Sequence, residues 1–400
     1  LKDSNDASVT IQVCNHNYLL ADAAHRQNGW KPLLKDYQAL IIDEAHKLPE
    51  TVRQMNIRRI RSSDLLHFEK ILVTSHCTLG AQKLRGASRA FLTAFTPAEN
   101  ESERAKSLCL TTEQSAALQH LNRVIEEILK LENKETPLVL RNKLHDIQEL
   151  LPLFLRRDTT FVRYVECRRE NGILSTDLCA VSFDLPQCVY DALWREQKPA
   201  ILTSGTLDTG EDFTHAKHRL GLDRGTPLRT LRILSPFRYD ENCLLYFPEP
   251  QHTKPPYKQD EDRVAHQIQE LINTANGHTL VLFTSYDQMG RVYEKLKNKF
   301  PVPVLQVQRN PQVYLERFKQ LPNAVLFASG ACWEGVDFPG DMVSLLIIVK
   351  LPFQVPDPLG EALRKQYSNL HNYIQAEVVP EMQIKLRQGF GRAIRTETDS

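Results

Sequence analysis

Asp43-Glu44-Ala45-His46 is the stretch of this chain whose residue types best suit chemistry on a phosphate. It follows Ala39-Leu40-Ile41-Ile42 directly, so two carboxylates stand at the end of an apolar run of strand character. An acid placed there can hold a magnesium ion, usually through water, and its neighbour can orient or deprotonate a water attacking a γ-phosphate. A solvated turn is the plainer alternative. A second constellation, Gln388-Gly389-Phe390-Gly391-Arg392-Ala393-Ile394-Arg395, puts two arginines three apart on one helix face, with Gly391 permitting close packing. Such arginines can stabilise charge on a transferring phosphoryl group, although an exposed basic helix end reads the same way. Glu334 and Asp337 lie in a Gly-punctuated loop, 330–340, after the apolar run 324–328. That loop suits ribose or nucleic-acid contact, or else Trp333 and Phe338 are core and its glycines are turns. Residues 350–359 carry three prolines that fix an extended path.

These residues need elements to hold them. Residues 9–14 alternate with β-branched side chains and predict a strand, 18–24 a helix, and 39–42 a buried strand running into the acids. From 62 to 158 the pattern turns helical: Leu118, Leu121, Ile125 and Ile128 form one stripe, and Leu140, Leu144, Ile147, Leu151 and Phe154 another. Extended segments at 160–166 and 178–183 are expected to return toward the first sheet. Ala200-Ile201-Leu202 predicts a strand that ends in Thr203-Ser204-Gly205-Thr206-Leu207. The Pro-rich stretch 247–257 reads as a linker. Beyond it, helices over 260–274, 287–299 and 312–320 alternate with strands over 279–284, 302–307, 324–328 and 342–350, which predicts a mostly parallel sheet covered on both faces.

Composition bounds the rest. The 400 residues carry 50 Lys+Arg against 49 Asp+Glu, a net charge of +1, so any anion or nucleic-acid site must come from local patches. Arg53, Arg58, Arg59 and Arg61 make one such patch, readable as a single-strand track or as a solvated face. The longest apolar run, 342–349, falls far short of the ~18–20 residues of a membrane helix. The eight cysteines are scattered without a CxxC pair. Buried reduced thiols in a reducing, cytoplasmic setting fit that usage.

Taken in order, these motifs resemble the core of a superfamily-two helicase of the DinG/XPD type. Asp43–His46 looks like motif II, 203–207 like motif III, 283–289 like motif IV, 333–340 like motif V and 388–395 like motif VI. KLPFQVPDPL at 350–359 and VCNHNYLLAD at 13–22, with its Asn-His pair, are typical of that family as well. The resemblance implies an α/β fold of two RecA-like P-loop motor domains, the first incomplete, with an inserted helical arch domain. It implies a first motor over 1–61 and 191–234, an arch over 62–190, and a second motor over 235–400. ATP would bind between the motors and drive movement on single-stranded DNA, forked DNA or R-loops, five-prime to three-prime, in repair or replication in the bacterial cytoplasm at the nucleoid.

Carried over by residue, the resemblance makes Asp43 the Mg²⁺ ligand, Glu44 the group that activates water, and His46 a coupling residue at the nucleotide. Gln388, Arg392 and Arg395 would meet the γ-phosphate, and Glu334 and Asp337 would sit near the nucleotide and couple the domains. Thr203, Ser204 and Thr206 would link the ATP site to the DNA track, and Thr284 and Ser285 would touch the DNA backbone.

One departure stands out. The chain has no Gly-Lys dipeptide, so the phosphate-cradling Walker A loop is absent from these residues. The family places that loop, and the cysteines of an iron–sulfur cluster when there is one, before motif II. The expectation is a fragment that lacks this N-terminal part and does not turn over ATP alone. A non-hydrolysing nucleic-acid-binding or regulatory subunit is the alternative, and the intact Glu44, Gln388, Arg392 and Arg395 argue against it.

Overall fold

The computed structural model of the chain describes residues 8–96, 105–131, 137–156, 159–170, 173–196, 198–209, 212–225, 227–235, 237–248, 261–275, 278–308, 310–333, 338 and 342–391. It packs into two units. The first comprises 1–205, 214–228 and 355–373, and the second 206–213, 229–354 and 374–400.

In the first unit, α1 (His16–Gln27) starts at Asn15, whose Oδ1 accepts the Tyr18 backbone N–H at 2.8 Å. Buried Asp22 on this helix accepts the N–H groups of Leu33 and Leu34, which fixes the loop leading to β1 (Leu40–Ile42). The strand expected over 9–14 does not form. Ile11 and Val13 are exposed and no described strand pairs with them, and β-branched propensity is expressed only against a packed neighbour. After α2 (Leu48–Asn56), β2 (Arg58–Arg61) leads into four helices: α3 (Ser62–Thr74), α4 (Thr78–Phe95), α5 (Thr112–Lys130) and α6 (Leu138–Leu155). The expected stripes of α5 and α6 are buried in one core with Phe68, Phe91 and Phe95. Thr111 and Gln114 close a capping box at the start of α5, satisfying N–H groups that the helix itself leaves without partners.

The extended segments after α6 depart from expectation. β3 (Lys106–Ser107), β4 (Phe161–Glu170) and β5 (Ile173–Ser182) join β2 in an antiparallel sheet of order β2-β5-β4-β3, separate from β1. The period of two in β5 buries both faces of this sheet. Leu178 and Ala180 point into the helical core, whereas Cys179 and Val181 point to a second cluster with Val162, Tyr164 and Leu185. β5 pairs with β2 along one edge and with β4 along the other, so it has no edge left for β1. After α7 (Leu185–Val189), β6 (Ala200–Leu202) pairs in parallel with β1, Ile41 opposite Ile201, and α8 (Thr214–Arg219) follows.

The second unit holds the expected parallel sheet. Following α9 (Tyr239–Asn242) and α10 (Glu261–Thr274) come β7 (Thr279–Phe283), α11 (Tyr286–Leu296), β8 (Val304–Gln306), α12 (Pro311–Gln320), β9 (Val325–Ser329) and β10 (Leu345–Ile348). The order is β10-β7-β9-β8, all parallel. Leu280, Leu282, Leu326 and Ala328 face a cluster with Phe318 and Trp333, while Val281, Phe283, Val325 and Phe327 face Ile268, Met289 and Val292. Both faces are covered, which is why these strands read as continuous apolar runs.

The Pro-rich exit from β10 then joins the first unit. Asp357 caps α13 (Pro358–Arg364) by accepting the Gly360 N–H at 2.7 Å, and it also pairs with Arg53. Leu359 is buried against Val162 and Tyr164 of β4. Residues 355–373, with α14 (Leu370–Tyr373), therefore belong to the first unit although they lie inside the span expected for a second motor. The chain ends in the second unit with α15 (Val379–Phe390).

Candidate functional site

β1 and β6 run in parallel and end at the same edge, and the backbone ladder continues one step further: the Thr203 N–H donates to Ile42 O at 2.9 Å, and the Ala45 N–H to Thr203 O at 3.0 Å. That register brings motif-like residues about 160 positions apart into hydrogen-bond contact. Thr203 Oγ1 donates to Asp43 Oδ1 at 2.9 Å, and the Glu44 N–H donates to the same oxygen at 2.9 Å. Asp43 Oδ2 has no partner among the described residues, so the carboxylate is oriented yet has one oxygen open to water or a cation.

Glu44 sits at φ +49°, a left-handed conformation that costs a non-glycine residue about 1–2 kcal/mol. The strain turns the chain sharply from β1 into a single 3₁₀ turn, Ala45–Lys47. With Nδ1 protonated, His46 donates to Ser204 Oγ at 2.8 Å, and the Ser204 hydroxyl donates to Glu44 Oε2 at 3.3 Å. His46 Nδ1 also lies 3.2 Å from that carboxylate oxygen. The His46 side chain is 8% exposed and Glu44 53%, so an enclosed imidazole steadies a carboxylate that water can reach. His16, of the Asn-His pair, touches this edge through Nε2, 2.9 Å from Asp43 O. Its partner Asn15 has a helix-capping task instead.

The other expected residues divide. Thr206 is buried. Thr284 is exposed at the end of β7, whereas Ser285 caps α11, its Oγ accepting the Gln288 N–H at 3.4 Å. Gln388 lies in the last turn of α15. Glu334, Asp337, Arg392 and Arg395 lie outside the described residues. The close packing expected of Gly391 falls on Gly389: a Cβ there would stand 2.7 Å from the Trp333 ring, whereas at Gly391 the nearest atom is 3.4 Å away. Trp333 is buried, its Nε1 donates to Phe283 O at 2.8 Å and Lys385 Nζ sits 5.9 Å from its ring, so this tryptophan is core. In the arginine patch, Arg53 is engaged by Asp357 and Glu50, and the Arg58 guanidinium lies 5.1 Å from the Phe161 ring.

No group of three or more His, Cys, Asp or Glu able to hold a metal occurs among the described residues. All eight cysteines are free thiols. Burial, reinforced by the nearby Glu166 carboxylate, pushes the Cys179 thiol up to about 11, so it is protonated at neutral pH. No helix among the described residues is long and apolar enough to cross a membrane.

Arg387 and Asp208 were not legible as a pair. Arg387 Nη1 donates to Asp208 O at 2.7 Å and to its Oδ1, and Arg232 Nε reaches Asp208 Oδ2 at 2.8 Å. The sole sequence hint is their adjacency to motifs: one residue before Gln388 and one after the 203–207 stretch.

Comparison with known proteins adds to this geometry. A family model described as a helicase C-terminal domain matches residues 268–400. The chain is 30% identical over 417 aligned positions to the ATP-dependent DNA helicase YoaA of Haemophilus influenzae, covering 97% of this chain and 62% of that protein. It is 28% identical to the ATP-dependent DNA helicase YoaA of Escherichia coli, covering 64% of it. The 3'-5' exonuclease DinG of Bacillus subtilis is 31% identical over 64% of this chain, but only 28% of its own length. The chain thus spans less than two thirds of these relatives. A solved XPD helicase structure shares the fold at TM-score 0.56 and 17% identity, covering 96% of this chain and 66% of that one.

Proposed function

We propose, from the premise that this chain belongs to the DinG/XPD-type superfamily-two helicases, that it works in an ATP-dependent DNA helicase and carries that enzyme's motifs II to VI. The observation that carries the reading is the cluster at the β1/β6 edge: an oriented Asp43 with one open oxygen, and a solvent-reachable Glu44 held by Ser204 and His46.

Each residue has a task in this reading. Asp43 would hold Mg²⁺, to which its open carboxylate oxygen is suited, and the ion would supply charge neutralisation at the β- and γ-phosphates. Glu44 accepts the proton of the attacking water as the water oxygen bonds to the γ-phosphorus and the bond to the β–γ bridging oxygen breaks. Gln388, Arg392 and Arg395 act on the γ-phosphate charge, and Glu334 and Asp337 couple the lobes. Thr203, Ser204 and Thr206 relay between the nucleotide and the DNA. Exposed Thr284 is suited to donate to a DNA phosphate, whereas Ser285 reaches one only if its capping bond yields. Hydroxyls that grip phosphates give hold without sequence preference, as movement along single-stranded DNA requires.

The finer reading is five-prime to three-prime movement on single-stranded and forked DNA or R-loops, in repair or replication at the bacterial nucleoid. The arch function belongs to the helices α3–α6 with their antiparallel sheet. A non-hydrolysing regulatory subunit is the competing reading.

The test is Glu44→Gln in the full-length protein. DNA-stimulated ATP turnover should fall by about 10²–10⁴, with single-stranded DNA affinity within about twofold. Parallel loss of both activities would remove the assigned role, and a wild-type protein that binds DNA yet never hydrolyses ATP would favour the regulatory reading.

A further inference from the structure

The stretch that links the two units at 203–208 is only a few residues long, and both of its ends are anchored. At its start, Thr203 and Ser204 bond to Asp43, Glu44 and His46 in the first unit. The chain passes into the second unit between Gly205 and Thr206. Three residues after Gly205, Asp208 is gripped by Arg387 through both its main-chain carbonyl and its carboxylate, and by Arg232 through the other carboxylate oxygen. The Asp208 side chain is 14% exposed, against 40% for Arg387 and 48% for Arg232. One sheltered anion therefore sits between two half-exposed guanidiniums.

Two features set this apart from an ordinary surface ion pair. A surface pair joins two mobile side chains and contributes little. Here the bond to the carbonyl ties a guanidinium to the main chain of the linking stretch, so displacing that backbone must displace α15 or break a charge-assisted bond. Arg387 also directly precedes Gln388, and adjacent helical residues differ by a fixed ~100° in azimuth. Pinning the first sets the direction of the second.

We infer that the Asp208–Arg387 clamp is a positioning device that couples the carboxylate cluster on β1 to the end of α15. Neither residue touches nucleotide in this scheme. A change at Ser204 or Thr203 when Glu44 changes partner travels along the chain to Asp208 and arrives at Gln388 as a shift of the helix. The inference rests on the helicase reading above and deepens it. Breaking the clamp leaves the hydrolytic residues in place and disconnects them from movement.

The experiment measures base pairs separated per ATP consumed, in the full-length protein, for Asp208→Asn, Arg387→Gln and Arg387→Lys. A loss of folded protein lowers both rates together and leaves that ratio untouched, so a merely structural role does not move it. The expected result is a fall of about tenfold in the ratio for Asp208→Asn and Arg387→Gln, on the scale of one charge-assisted bond. Arg387→Lys should recover at least half of it by keeping the charge. A ratio within twofold of wild type in both disruptive variants would overturn the inference while leaving the helicase reading intact. A wild-type protein that hydrolyses ATP with DNA but separates no strands, or hydrolyses none, would remove the reading first and the inference with it.

Discussion

The two parallel sheets of this protein reach order by opposite means. β7 and β9 are buried at every position and covered on both faces, so side-chain packing reinforces their ladder along its whole length. β1 and β6 are three residues each, and their facing Ile41 and Ile201 are 72% and 60% exposed. Yet it is this bare pair that carries the hydrogen-bonded carboxylates. Geometry there comes from polar bonds: the ladder continued through Thr203, the hydroxyls on Asp43 and Glu44, and the imidazole behind them. A core tolerates little movement because it is close-packed. A site held by bonds that can exchange partners can change state.

Substitutions in the packed sheet should therefore show the largest losses. Phe327 packs tilted against Phe283 at a ring distance of 5.5 Å and edge-on to Tyr293 at 6.1 Å, with no exposed surface. Phe327→Ala should cost about 3–5 kcal/mol by lost burial and the cavity left behind. Urea unfolding followed by circular dichroism reads it, and a loss below ~1 kcal/mol would contradict the close-packed description. Gly389→Ala comes next. Its new methyl would stand 2.7 Å from a carbon of the Trp333 ring, so helix or ring must shift. Overpacking of that kind costs about 1–3 kcal/mol. Thermal unfolding together with Trp fluorescence checks it; a stabilised variant, as helix propensity alone would give, would show that the contact relaxes freely.

How much of this was readable in advance follows the same division. Local periodicity was enough for β7, β9 and β10 and for the stripes of α5 and α6, because burial on a fixed face writes itself every two or every three to four residues. The acids at the end of β1 were legible for the same reason, and motif order tied them to Thr203 and Ser204. What periodicity does not record is contact between distant positions. Arg53 with Asp357 is separated by 304 residues and Arg387 with Asp208 by 179, and each looks on paper like one more surface charge. β4 and β5 were recognised as extended, but an alternating strand does not name its partner, so their own antiparallel sheet was missed. The demand for glycine was placed at Gly391 rather than Gly389 because a helix terminus and a ring contact both read simply as Gly.

The smallest effect sharpens the contrast most. Ile41 has the residue type, the strand setting and the parallel partner of a core position, and it differs from Val281 or Phe327 only in what covers it. Removing apolar atoms that water already reaches forfeits little transfer free energy, since the penalty scales with area taken from water, about 25 cal/mol per Å². In this chain Ile41→Ala should thus change stability by less than about 0.5 kcal/mol, with the Asp43 and Glu44 bonds unaffected because they lie beyond the strand end. Equilibrium unfolding against wild type gives the number. A loss above ~1 kcal/mol would mean that the open face of β1 is covered in solution, and the site would then rest on packing as well as on its polar bonds.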